Sequence, residues 1–136
     1  MKRNIILALL LFLYSITLSA QENSKNYILV LSVDLYMNTS SRVSCDNFAT
    51  VFSKILTAKE ISQSDSIAMF SAFIRQVKYA KNDMGIDVRC KFIYEIGNTH
   101  KVTVCTNGRD IIVNGRLIKR NKKFINFLNS ILHWHL

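Results

Sequence analysis

The sequence predicts an α+β fold: an antiparallel meander sheet of four to five strands with helices packed on it. Three observations carry this. Residues 86–96 alternate apolar and polar side chains except at Ile93, and Asn107-Gly108 and Asn114-Gly115 follow as hairpin signals. Apolar residues at helical spacing fill the segments on either side of that block. Strands gathered together and helices gathered elsewhere favour helices stacked on one face of a single sheet.

Composition sets the outer bounds. The chain has 136 residues, 18 Lys+Arg against 9 Asp+Glu, and three Cys. Apolar residues at 49% and charged residues at 20% exclude a disordered or fibrous chain, because that much apolar surface supports a packed core. Three cysteines are too few for a disulfide-dense miniprotein. After residue 20 no stretch is long and apolar enough to span a bilayer.

Residues 1–20 read as a secretory signal peptide. Met1-Lys2-Arg3-Asn4 is a basic start, Ile5 to Leu13 is an uninterrupted apolar run, and Thr17, Ser19 and Ala20 are small side chains. Cleavage after Ser19 or Ala20 fits; an uncleaved signal anchor is the alternative. No Cys lies near the cleavage region, so no lipid anchor is expected there. Residues 21–136 then form one α+β domain. Removal of Lys2 and Arg3 leaves sixteen basic and nine acidic side chains, a formal charge of +7.

The elements follow in order. Tyr27 to Met37 reads as a strand by its period of two. Phe48, Val51, Phe52, Ile55 and Leu56 mark a short helix over Asp46–Leu56, with Ser44 or Asp46 as its cap. A second helix is expected over Asp65–Ala80. Ser64 caps it, Ile67, Phe70, Phe73, Ile74 and Val77 form its stripe, and Gly85 ends the Asn82–Gly85 stop in a left-handed conformation.

Ile86 to Lys119 is the meander. A three-residue turn at Gly97-Asn98-Thr99 pairs Tyr94 with Val102, Phe92 with Val104 and Glu95 with Lys101, which keeps one apolar face and an opposite-charge pair on the other. Folding at Asn107-Gly108 sets Val104 opposite Ile111 and Val102 opposite Val113; folding at Asn114-Gly115 sets Ile111 opposite Ile118. Val88, Phe92 and Tyr94 are expected on that buried face, under the second helix. The other face carries Arg89, Lys91, Thr103 and Asp110, interrupted by Ile93, Ile112 and Leu117, which the last helix or a partner would cover. Asn121 caps that last helix, whose stripe is Phe124, Phe127, Leu128, Ile131 and Leu132.

Strand, helix and four-strand meander, over Tyr27–Met37 and Asp65–Lys119, resemble the element order of cystatin-like folds. The family's Gln-x-Val-x-Gly inhibitory hairpin is absent, since the equivalent turn reads Glu95-Ile96-Gly97-Asn98. The resemblance therefore implies a topology and no inhibitor function. The leader and small basic domain are also similar to small uncharacterised exported proteins of Gram-negative bacteria, which implies a periplasmic or secreted location and no activity.

Chemistry-bearing residues are sparse. Three Cys leave at least one thiol over; a bridge from Cys45 to Cys90 or Cys105 would tie the first helix to the sheet, and buried free thiols are the alternative. Cys90 and Cys105 lie on opposite faces and cannot join each other. His133 and His135 are about 200° apart on a helix and so do not chelate one ion unless the end frays. His100 stands alone, and no motif for a metal or another cofactor occurs. Asp87, Arg89, Lys91 and Glu95 read as a solvated strand face.

The distinctive signal is basic clustering. Arg109, Arg116, Lys119, Arg120, Lys122 and Lys123 fall within fifteen residues that contain one acid, Asp110. Lys122 and Lys123 occupy a first helical turn, where the positive helix end disfavours them. The expectation is an exported binding or interaction domain that contacts an anionic envelope component or a protein through this cluster. Nucleic acid is disfavoured, for want of interleaved aromatic and basic residues. A periplasmic enzyme assembled from dispersed residues is the competing expectation, which a deep pocket with converging polar groups would favour.

Overall fold

A computed structural model describes residues 26–82, 84–96 and 100–134. The leader expected at residues 1–20, the turn expected at 97–99 and His135 lie outside the described residues. Six strands form one antiparallel sheet: β1 (Tyr27–Ser32), β2 (Thr57–Ile61), β3 (Cys90–Ile96), β4 (His100–Thr106), β5 (Ile111–Val113) and β6 (Arg116–Leu117). Their spatial order is β2-β1-β3-β4-β5-β6. The helices are α1 (Phe48–Val51), α2 (Ser64–Arg75) and α3 (Lys122–Leu132). The architecture is α+β, with only a loose likeness to the cystatin order, because β2 adds a strand outside β1.

The β3–β4 pairing has the expected register. Tyr94 pairs with Val102, Phe92 with Val104 and Glu95 with Lys101, and the last pair is an ion pair of 3.8 Å. At Asn114-Gly115 both residues have positive φ, 47° and 78°, as a type I′ turn requires, and the Ile118 amide donates to the Ile111 carbonyl. The Asn107 turn differs. Val104 pairs with Val113 and Thr106 with Ile111, two residues away from the expected register. Residues 107–110 form a longer loop because the Asn107 carboxamide accepts from the Arg109 and Asp110 amides, while Thr106 Oγ1 accepts from Gly108 and donates to the Asp110 carbonyl. A slip of two preserves side-chain parity, so Val104, Ile111, Val113 and Ile118 still share one buried face.

That face is covered by α2 and α3. Phe70 on α2 lies 5.8 Å from Phe92 and 5.9 Å from Phe124, and the Phe73 and Phe124 rings stack at 4.8 Å. Asn121 caps α3, accepting from the Phe124 amide at 3.1 Å. Helix α2 stops at Arg75 instead of Ala80, because residues 77–80 run out to the sheet. Tyr79 bridges to Ile118, and the Ala80 amide donates to Leu117. Gly85 therefore ends no helix and does not have positive φ. Gln63, not Ser64, precedes α2, with no side-chain cap.

Helices do not keep to one face. β1 ends at Ser32 and not Met37, and the chain from Val33 to Leu56 folds across the second face of the sheet with α1. Val33, Val43, Phe48, Phe52, Ile86, Val88 and Ile112 form a second core there, joined by Leu117. Ile112 and Leu117 are thus covered by α1 and its flanks, whereas α3 packs on the opposite face; Ile93 is half-buried. Val88 belongs to this second core because regular pairing of β3 begins only at Cys90. α1 is a single turn preceded by Asn47 without a side-chain cap; Ser44 bonds Asn47 instead, and residues 57–61 turn into β2 where the helix was expected to finish.

Arg89 is structural here and not solvated, whereas its partner Asp87 keeps part of its side chain exposed. Arg89 is 7% exposed, and its guanidinium donates to Asp87 and to the Met37 and Val88 carbonyls while lying over the Phe52 ring. Burial pushes the Asp87 carboxyl up, but hydrogen bonds from the Val43 amide and from Arg89 outweigh it and hold the group below its ordinary value. Lys91 is tied in as well, donating to the Cys45 carbonyl at 2.9 Å.

Candidate functional site

The basic residues are distributed by three short pieces of structure. The Asn107 turn presents Arg109, the segment leaving β6 carries Lys119 and Arg120, and the first turn of α3 carries Lys122 and Lys123. A hydrogen bond of 2.6 Å from the Lys119 amide to the Lys78 carbonyl brings a further cation, Lys78, beside them. Lys78, Lys119, Arg120, Lys122 and Lys123 surround a shallow groove of about 400 Å³ whose floor includes Val77 and Ile118.

Arg120 and Lys122 also line a second, larger open groove of about 910 Å³. Arg109 and His133 line it too. The two depressions thus share a ridge, and the cations run across it. Arg116 lies apart from both. Its guanidinium stacks on the Tyr79 ring at 4.1 Å, a cation–π contact that holds it on the sheet edge. Among the described residues the ion pairs are Arg89–Asp87 and Lys101–Glu95, so none of these clustered cations has a carboxylate partner. An unpaired run of cations around one concave surface is a field that attracts polyanions.

The larger groove contains residues that charge alone did not single out. Asn129, on the buried side of α3, donates from Nδ2 to the Gly108 carbonyl at 3.1 Å and so docks the helix on the Asn107 turn. Asn126 and Ser130 lie beside it, and Trp134 and Tyr36 supply aromatic surface. A polar residue at position 129 within an otherwise apolar stripe was the one available signal. Lys78 and Tyr36 gave none, because only the Tyr79–Ile118 bridge and the fold of residues 33–56 bring them here.

The remaining candidates are placed as follows. Cys45 and Cys105 form a disulfide across the second face, and Cys90 is a free thiol buried on the first, where burial pushes its pKa well up. The Cys45–Cys90 alternative is therefore not the pairing present. His133 ends α3, His100 opens β4, and no group of three His, Cys, Asp or Glu among the described residues could hold a metal ion. No helix among the described residues is long and apolar enough to cross a membrane. No protein-family model, no curated protein and no solved structure matches the chain.

Proposed function

We propose that this protein is an exported, non-enzymatic binding domain that engages an anionic polymer of the cell envelope through the ridge of Lys119, Arg120, Lys122 and Lys123. The carrying observation is five cations, with Lys78, around one groove and no carboxylate paired to the cluster among the described residues. Lys122 and Lys123 add a second support. Two like charges at the positive end of a helix cost a little stability, which an anion would recover. The leader sequence supports export, and the Cys45–Cys105 disulfide is compatible with an oxidising compartment.

The test is charge reversal of Lys119, Arg120, Lys122 and Lys123 to Glu, with binding to alginate and to polyphosphate measured near 0.1 M salt. Each exposed contact contributes roughly 0.5 kcal/mol, and reversal adds repulsion, so the four together should weaken both by about 100-fold or more. The melting temperature should not fall and should rise by a few degrees, since all four side chains are exposed and Glu at 122 and 123 complements the positive end of α3. Unchanged affinity removes the proposal. For the compartment, fractionation should recover a chain beginning at Ala20 or Gln21 outside the cytoplasm; an intact Met1 end on membranes would refute cleavage.

A further inference from the structure

We infer that the larger groove is a saccharide subsite, and that the polyanion is an acidic glycan, with one sugar ring seated against α3. This rests on the binding role proposed above and specifies its ligand.

Asn129 is the first observation. Its residue is 7% exposed, its Nδ2 is used on Gly108, and its Oδ1 is buried with no hydrogen-bond partner. A buried carbonyl oxygen without a donor is uncommon in folded proteins and calls for one, such as an ordered water. One water can bridge such an oxygen to a ligand hydroxyl in the groove. Asn129 lines the groove with Asn126, whose carboxamide can donate and accept, and with Ser130, whose hydroxyl donates to the Phe127 carbonyl at 2.7 Å and can still accept.

The aromatic surfaces are the second. Trp134 is folded back on α3 by a Schellman turn: the Trp134 amide donates to the Asn129 carbonyl, the His133 amide donates to Ser130, and His133 takes the left-handed conformation, φ 55°. Tyr36, which also lines the groove, is 76% exposed and sits in a turn in which Asp34 Oδ1 accepts from the Tyr36 amide at 2.8 Å. An exposed phenol fixed over a groove offers a flat apolar face together with a polar tip.

The cations are the third, and the combination selects the ligand. Inorganic phosphate satisfies Arg109, Arg120 and Lys122 but has no apolar face for Tyr36 and Trp134. An acyl carboxylate satisfies cations and aromatics but carries no hydroxyl donor for Asn129. A uronate ring has all three: a carboxylate, several hydroxyls and an apolar C–H face. Asn126, Asn129 and Ser130 along one helix suit a row of hydroxyls better than a nucleobase, whose recognition rests on stacking.

Trp134 is the only tryptophan, and it lines this groove while packing on the core beneath, so its fluorescence reports on this end of α3. An alginate tetrasaccharide should shift that emission, and tetraphosphate should not. Tyr36→Ala, which removes a mostly exposed side chain, should weaken the tetrasaccharide at least 5-fold and leave tetraphosphate unchanged. Asn129→Ala should act in the same sense. If neither anion binds, the binding role itself fails. If both bind equally, with no emission change and no effect of Tyr36→Ala, the role stands and the saccharide subsite is overturned. Tighter binding and a larger emission shift with oligothymidylate than with the tetrasaccharide also overturns it, in favour of nucleic acid.

Discussion

Phe92→Ala is expected to lower unfolding free energy by about 3–5 kcal/mol in urea titrations, whereas Lys91→Ala, one position away, should cost about 1 kcal/mol. Phe92 is fully buried, paired between Val30 and Val104, with the Phe70 ring 5.8 Å distant. Truncation removes its transfer energy and opens a cavity between two helices and three strands that cannot close around it. Lys91 points to the other face, and its one hydrogen bond goes to the Cys45 carbonyl. The comparison reads the register directly, since a slip of one residue in β3 would exchange the two environments. A larger loss at Lys91 would overturn the pairing of β3 with β1 and β4.

The second large effect is removal of the disulfide. Cys45 and Cys105 are 60 residues apart, and opening a loop of that length destabilises by about 4 kcal/mol when the effect is assigned to unfolded-chain entropy. Cys45→Ser with Cys105→Ser should show it. The damage should be uneven. Residues 33–56 are held to the sheet by this bridge, the Arg89 hydrogen bonds and one small core, so their amides should lose exchange protection first. The face under α2 and α3 should hold longer. Thiol titration of the denatured, unreduced protein should find one reactive group, Cys90, which burial keeps protonated and inaccessible in the fold. Three reactive thiols would refute the bridge.

The candidate site was legible only in part, for a physical reason. Lys119, Arg120, Lys122 and Lys123 are neighbours in sequence, so their clustering needs no tertiary information. Lys78, Tyr36 and Asn129 come from distant segments and meet the cluster through the Tyr79–Ile118 bridge, the turn at Asp34 and the contact with Gly108. Arg116, which is close in sequence, is drawn away by Tyr79. Proximity along the chain was therefore neither sufficient nor necessary.

The fold divides in the same way. The sequence by itself determined the features whose energetics are local. Asn114-Gly115 takes positive φ because its residues tolerate it, Asn121 caps α3 through a carboxamide three residues from its donor, and alternation along residues 90–96 sets one face inward. Tertiary structure decided whatever depends on partners far along the chain. Residues 57–61 are a strand because β1 offers an open edge of backbone donors and acceptors; four of their five side chains are exposed, so no hydrophobic pattern announces them. α2 yields to extended chain at Val77 because pairing with Ile118 offers those backbone groups partners at the sheet. Arg89 is buried because residues 33–56 fold over it with carbonyls, a carboxylate and a ring already in place. A buried guanidinium is tolerable only when such partners are assembled first, and that assembly is a property of the whole chain.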